Sequence, residues 1–422
     1  MKRFATRLIV MFAAICLCWP MAASASQPTN EIEVTGGRLW FDSIPNGLSG
    51  GIAYNGEYVL INPYGDIVWY KSADGVNWES VGAQQERNGV IIDGVGGVER
   101  LIWDGKQFAA ISRTQVLTSE DGKLWKVRTI EHPDTSKEYI LSDIVFTGDV
   151  YVIVAQERDK GARLYVPGPN TFLVSNDLMT FEIGEKENMS TSIAGERPVS
   201  FLATNGKVTI GGGGGSAVTF DNGKHWHGPG STSFGTPYAG FSAIWDGRQF
   251  VHAHGETITT SSDGQTWNKH AIKVAGDDAP IDVDNIAYNG AEYIAVPHYS
   301  IGNGPLVIYR SYDLYEWEKI EFPSIRTNVI QIEPFQDGFI LLGTHTWLYR
   351  NHRLSIPSEW AEDGILAAGE HGLASDAILN NYRKPITRVE FAEISVRLYD
   401  RITGRDAEDG GTEPAPSPFK DT

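Results

Sequence analysis

Between about residues 50 and 350 the chain alternates short apolar runs with turns, and the pattern returns at near-regular intervals. Each unit opens with an apolar run that ends in aromatic-polar-Gly or a close variant. The instances are Ile52-Ala53-Tyr54-Asn55-Gly56, Ile102-Trp103-Asp104-Gly105, Ile144-Val145-Phe146-Thr147-Gly148, Leu202-Ala203-Thr204-Asn205-Gly206, Ile244-Trp245-Asp246-Gly247 and Ile286-Ala287-Tyr288-Asn289-Gly290. Asn-Gly and Asp-Gly at such places are strong hairpin signals, because both residues tolerate the positive φ of a tight turn. A second apolar run follows each: Tyr58 to Ile61, Phe108 to Ile111, Tyr151 to Val154, Val208 to Ile210, Phe250 to Ala253 and Tyr293 to Val296. These runs are too short for helices and rich in β-branched and aromatic residues, so they predict strands.

A third predicted strand leads into a seven-residue turn unit, best seen in Ser261-Ser262-Asp263-Gly264-Gln265-Thr266-Trp267. Close copies start at Ser72 and Ser119, a longer one at Thr219, and looser ones at Ser175 and Ser311, in steps of 47, 56, 44, 42 and 50 residues. The Asp carboxylate can accept backbone N–H groups two residues on, and the Ser or Thr hydroxyl can bond locally. Gly supplies a backbone position with φ > 0. The aromatic opens a fourth strand and has a large surface to bury. Asp74, Asp121, Asp177, Asp221, Asp263 and Asp313 are therefore expected to hold turns, since six near-copies do not make one active site.

Four antiparallel strands per unit, repeated every 42–56 residues, predict a β-propeller. A seventh unit runs through Val329 to Ile332, Phe339 to Leu342 and Trp347 to Arg350, but no turn unit follows it. Gly37 to Ile44 has the pattern of a fourth strand such as Lys123 to Ile130. The expectation is an all-β, seven-bladed propeller over 33–354, with the N-terminal strand completing the last blade and hiding its edge.

The ends of the chain read differently. Lys2, Arg3 and Arg7, the apolar run Leu8 to Trp19 and Ala23-Ser24-Ala25 have the form of a cleavable leader over 1–25. The apolar run is too short for a stable membrane span, and Ile15 and Leu17 are poor neighbours for lipid attachment at Cys16 or Cys18. Cleavage removes both cysteines, which leaves no disulfide or thiol chemistry, and takes the formal net charge from −18 to −21. Such a charge disfavours nucleic acid and anionic lipid as partners.

The turn units resemble the Asp-box, or BNR, repeats of sialidases and related extracellular propellers. That resemblance implies the fold but not an activity, because the repeat serves enzymes, receptors and binding proteins alike. Sialidases carry an Arg in a Phe/Tyr-Arg-Ile-Pro stretch ahead of the first repeat. Here the region reads Trp40-Phe41-Asp42-Ser43-Ile44-Pro45, and the enzyme's residue set does not assemble. Another glycoside hydrolase would need only two carboxylates facing one sugar bond, so that class stays open.

Antiparallel topology puts the turn units on one face, and the long, variable loops and blade crossovers on the other, where a ligand is expected. At the starts of the inner strands, Arg100, Asp143, Ser242 and Asn285 fall at equivalent places, with Glu99 and Asp284 beside them. They form either a polar ligand ring or a hydrated channel mouth. His252, His254, His298 and His345 lie on or after second strands at uneven offsets, so no metal and no cofactor is expected. Gly211 to Gly215 lacks the Gly-Lys-Ser/Thr of a phosphate loop and is expected to be a flexible loop that another surface approaches closely.

After about Ser355 the alternation stops. A short helix is expected from Ser358 to Gly372, and a second one from Thr387, with Glu390 completing a capping box, to Gly404. Trp360-Ala361, Gly372-Leu373, Tyr382-Arg383-Lys384-Pro385-Ile386-Thr387-Arg388-Val389-Glu390 and Val396-Arg397-Leu398-Tyr399 resemble an S-layer homology (SLH) module over 355–404. Val389 departs from the family's Ile-Thr-Arg-Ala-Glu signature. The resemblance implies binding to secondary cell-wall polysaccharide through Arg388, with Trp360, Arg383 and Lys384 nearby. Residues 405–422 read as a linker whose last residues resemble the start of a further module. The combined expectation is a secreted, wall-associated propeller that binds a glycan or protein ligand without catalysis. The alternatives are a wall-bound glycoside hydrolase or lyase, and a structural envelope protein.

Overall fold

The structure, a computed structural model, describes residues 31–34, 37–42, 50–63, 68–87, 89–162, 168–187, 198–213, 215–228, 243–274, 283–297, 305–327, 329–343, 345–351 and 388–403, with isolated positions between 364 and 373. The leader, the linker, Trp360, Arg383, Lys384, Ser242 and His298 lie outside the described residues. Among the described residues no helix is long and apolar enough to cross a membrane.

The predicted strands form seven sheets, each with a core of four antiparallel strands. Blade 2 shows the plan, with Arg100–Trp103 innermost, then Phe108–Ser112, Gln115–Ser119 and Leu124–Thr129. The ring closes as the sequence pattern predicts. Gly37–Asp42 runs antiparallel to Thr346–Arg350 as the fourth strand of blade 7, with Leu39 opposite Tyr349. Glu31–Val34 adds a fifth strand outside it. The seam between blades 7 and 1 is apolar, with Phe335, Ile340, Leu342 and Leu348 against Ile52, Val59 and Ile61.

The repeats also differ in a way that the sequence pattern does not announce. On leaving blades 1, 3 and 5 the chain first adds a strand to the outside of the next blade. Gln84–Arg87, Glu185–Glu187 and Lys273–Val274 pair in parallel with the outer strands of blades 2, 4 and 6. Each lies opposite the aromatic of the turn unit: Gln85 beside Trp125, Lys186 beside Trp226, Val274 beside Trp317. Those three indoles are fully buried, whereas Trp78, Phe181 and Trp267 of blades 1, 3 and 5 are only half-buried. Trp125 also packs on Trp69 and Trp226 stacks on Phe172, both from the preceding blade.

Blades meet through complementary side chains. The turn glycines sit against the second strand of the preceding blade. At Gly122 (φ 71°) an added Cβ would stand 2.9 Å from Leu60, so the position is closed both by backbone conformation and by space. The equivalent positions in blades 3 and 6 hold Leu178 (φ 57°) and Leu314 (φ 72°), buried in spite of their left-handed backbone. Leu178 shares its buried cluster with Ala109, which takes the strand position that Leu60 has one blade earlier. At this seam a large residue on one side is thus matched by a small one on the other, whereas Leu314 in blade 6 shares its cluster with Val251 at the same strand position. A polar contact also recurs: the Tyr151 hydroxyl donates to Asp104, and the Tyr293 hydroxyl to Asp246 Oδ2 at 2.6 Å.

One expectation changes, and the C-terminal helix stands where it is expected. Gly211–Gly213 belongs to the strand Thr209–Gly213 rather than to a loop. The close approach is real, since a Cβ at Gly211 would stand 2.8 Å from Val199. The C-terminal helix spans Arg388–Thr403, and its apolar residues Phe391, Val396, Leu398, Tyr399 and Ile402 are exposed.

Two measurements check this packing. Trp125→Ala is expected to cost about 3–5 kcal/mol, and Trp267→Ala roughly half as much because less area is buried; equal losses in chemical denaturation would contradict the role given to the added strand. Gly122→Leu is expected to destabilise by roughly 1–3 kcal/mol through overpacking. Adding Leu60→Ala should recover part of that loss, because it recreates the Leu178/Ala109 pair, and a double-mutant cycle without coupling would refute the complementarity.

Candidate functional site

The site is built from the inner strands, where they enter the channel on the face opposite the turn units. Strand registers put Gly51, Arg100, Asp143, Phe201, Asn285 and Gln331 at one level, each opposite the fourth residue of its blade's second strand, counted from Phe339 in blade 7. In blades 3, 4, 6 and 7 a register shift immediately precedes this level. A bulge bends its strand and re-aims the side chains around it, which is how a sheet terminus is fitted to a central opening.

The level is tied together by a polar belt. Arg100 Nε lies 3.1 Å from Asp143 Oδ1, with the Arg side chain about one-third exposed and the Asp nearly buried. Asp143 also accepts the amides of Ile144 (2.9 Å) and of Leu202 in blade 4 (2.7 Å). The Gln331 amide, oriented to satisfy both neighbours, accepts from Arg100 at 3.1 Å and donates to the Gly50 carbonyl at 3.0 Å. The belt therefore links blades 1, 7, 2, 3 and 4. Burial raises the pKa of Asp143 against the pull of Arg100 and the two amides. Two residues beyond Gln331, along the same face of the strand Val329–Phe335, stands Glu333. It is the one acid at a level otherwise made of Ala53, Ile102, Val145, Ala203, Ile244 and Ala287. Burial pushes its carboxyl up to about 7, opposed by Arg100.

The structure brings Arg100 and Asp143 into contact, and sets Asn285 at their level. Asp284 is buried and faces His254, with 3.3 Å between Oδ1 and Nδ1. Glu99 is exposed beside Arg100, and its amide donates to the Ile111 carbonyl. His252 packs on Phe201, and no group of three metal-ligating side chains occurs among the described residues. Sequence reasoning missed Gln331, Phe201 and Glu333. Alignment of the seventh unit on its Phe339 hairpin would have found Gln331 and Glu333.

On the opposite face, the Asp residues of the turn units are committed to backbone amides. Asp74 Oδ1 accepts from Val76 (2.9 Å) and Asn77 (2.7 Å), and Asp263 Oδ1 from Gln265 (2.8 Å) and Thr266 (2.7 Å). Asp121, Asp177 and Asp313 repeat the arrangement, and Asp221 binds His225 through both its amide and its ring. The Thr266 amide foremost pulls Asp263 down to about 2. At Asp221 burial opposes ionisation, but the His225 contacts outweigh it and hold the carboxyl at about 2. A cavity of about 700 Å³ opens on this face between blades 2 and 3, lined by Lys106, Gln107, Glu120, Phe146 and Asn176.

Seven sheets, each built on four antiparallel strands and five of them tied at their inner ends by polar contacts, define the chain as a seven-bladed β-propeller. No protein family and no curated protein matches its sequence. Among solved structures it is similar to YCF48 bound to D1 peptide, with TM-score 0.51 and 13% identity over 77% of this chain and 99% of that chain. It is also similar to virginiamycin B lyase from Staphylococcus aureus (TM-score 0.49, 11% identity, 74% and 99% covered). A third likeness is to the Pan2 WD40 domain of Neurospora crassa (TM-score 0.47, 10% identity, 73% and 89% covered). Likeness at these identities concerns the fold.

The depressed Asp pKa values predict an acid limit. A carboxylate whose folded pKa lies below its unfolded value stabilises the fold above about pH 4, and that contribution is lost as pH falls through the folded pKa. Thermal stability should therefore decline between about pH 4 and pH 2, and Asp263→Asn should flatten the decline. A melting temperature independent of pH over that window would contradict it.

Proposed function

We propose that the chain is a secreted, cell-surface propeller that binds a glycan or protein ligand at its channel mouth without turning it over. We further propose that the segment around Arg388 anchors it to secondary cell-wall polysaccharide. The observation that carries the first part is the belt at the mouth. Its acid and its cation are engaged with each other and with backbone amides across several blades. Such an arrangement holds a surface rigid and presents polar edges, which suits recognition more than proton transfer. Arg100 keeps about a third of its side chain open to a ligand.

The leader-like start and the SLH-like segment support the location. Arg388 is exposed in the first turn of its helix. A helix N-terminus offers free amides and a positive dipole end, and Arg can bind a carboxylate through two parallel hydrogen bonds where Lys cannot. An acidic wall polymer would be repelled at long range by a chain whose charge is −18, or −21 once the leader is removed, so attachment must rest on such a local basic spot. A second reading, a wall-bound glycosidase or lyase, draws on Glu333. A carboxyl that burial pushes up to about 7, with Arg100 opposing the shift, has the character of a general acid.

Two experiments test these readings. A glycan array paired with a hydrolysis screen is expected to give retention without turnover; turnover lost in Glu333→Gln would favour the enzyme, and neither result would favour a structural envelope protein. In co-sedimentation with purified wall sacculi, Arg388→Ala is expected to abolish binding that depends on the acid-extractable polymer, and Arg388→Lys to restore part of it. The propeller should melt as before. Equal sedimentation of wild type and Arg388→Ala would remove the anchoring role.

A further inference from the structure

Blade 2 carries an outer hairpin formed by the crossover from blade 1. Among the described residues the other added crossover strands do not fold back in this way, and the outer hairpin of blade 7, Glu31–Val34 with Gly37–Asp42, supplies that blade's own fourth strand. In blade 2 the first strand of the hairpin, Gln84–Arg87, pairs with Leu124–Thr129, and the second, Val90–Asp93, is the outermost of six strands. Val90, Ile91 and Ile92 are 58, 57 and 46% exposed, so both faces of this strand stand in solvent. Apolar residues a few positions away, Ala83, Val95 and Val98, are buried, so this chain segment has a core available and leaves three residues outside it.

The other outer edge strands are protected, and that of blade 7, Glu31–Val34, has Glu at alternate positions. Glu79–Val81 carries Glu79, Glu182–Ile183 carries Glu182, and Glu185–Glu187 is charged throughout. Asn268–Ala271 and Lys273–Val274 carry Lys269 and Lys273. Charge on an edge is a common device against further strand pairing. Val90-Ile91-Ile92 carries none, has no Pro and shows no register shift against its neighbour. Gly89 (φ 78°) and Gly94 (φ 86°) bound it, which limits the open edge to this short run.

We propose that Val90–Asp93 takes up an extended apolar segment of a partner polypeptide as a seventh strand of blade 2. Main-chain hydrogen bonds to the free edge would supply affinity, and side chains on both faces of the pair would supply selectivity. The occupant's chemistry follows from the edge. Exposure on both faces calls for a contiguous apolar run rather than an alternating one. The exposed Asp93 at the strand's end and the chain's net charge of −18 call for basic flanks. A second copy of this chain is a poor fit, because it brings the same negative charge. Three exposed apolar residues fall well short of the ~800 Å² per partner of a stable interface between folded proteins. This surface is separate from the channel mouth, and its test is independent of the reading given to that mouth.

The probe is a fluorescein-labelled peptide, Lys-Lys-Val-Ile-Val-Ile-Lys-Lys, with a twin N-methylated at alternate amides, titrated against the full chain by anisotropy. Wild type is expected to bind the peptide but not the twin, which lacks the edge-pairing N–H groups. Ile91→Lys is expected to weaken binding roughly tenfold or more, with Ile91→Thr intermediate, by loss of apolar contact at the paired edge. Both variants should melt as wild type, because Ile91 is exposed. Failure of the wild type to bind would overturn the proposal, as would equal binding by Ile91→Lys or by the twin. A concentration-dependent dimer in sedimentation velocity that Ile91→Lys abolishes would overturn it in favour of a second copy.

Discussion

Every blade of this molecule has two apolar faces, and neither can be buried within the blade itself. The fold therefore depends on each sheet finding a neighbour on both sides, which requires a closed ring. The antiparallel pairing of Gly37–Asp42 with Thr346–Arg350 meets that requirement. It joins the two ends of the repeat region, completes blade 7, and lets Phe335, Ile340 and Leu348 bury Ile52 and Val59. Its chain separation is about as large as the domain permits, so loop-closure entropy opposes it. Burial along the whole seam offsets that cost.

Closure has a counterpart in the channel. Gln331, Arg100 and Asp143 tie blade 7 to blades 2 and 3, with Gly50 and Leu202 as backbone partners on either side. The outer seams are held by shape, as at Gly122 and Leu60, while the inner ends are held by polar contacts. A rigid channel mouth follows from having both. The same division explains why the turn-unit carboxylates hold their own turns, whereas Asp143 reaches from one blade to the next.

The parallel strands outside blades 2, 4 and 6 impose a two-blade period on a one-blade repeat. They arise because the chain must cross from the outside of one blade to the inside of the next, and in three crossings it pairs with the next blade first. Trp125, Trp226 and Trp317 are deeply buried as a result, although the turn unit of Trp125 is a close copy of those of Trp78 and Trp267. In blade 2 the added segment folds back on itself, and this second turn leaves Val90–Asp93 at the edge.

The local sequence was sufficient for the four strands of each blade, the turns and the number of blades, because each depends on interactions within a few residues; the strands added outside blades 2, 4 and 6 left no such mark. An Asp or Ser beside a turn Gly, and alternating apolar positions, declare themselves at short range. The closing strand was also legible, since a blade without a fourth strand and a strand without a blade can be matched by pattern. Arg100, Asp143 and Asn285 could be placed at one level by counting from the hairpins. Which of them touch could not, because bulges before the ring level in four blades turn the side chains in ways the sequence does not mark. The Tyr151–Asp104 and Tyr293–Asp246 contacts, the Leu178/Ala109 exchange and the raised pKa of Glu333 are likewise properties of the seams and channel. They depend on residues about one blade or more apart in the chain, and only the closed ring brings those residues within reach of one another.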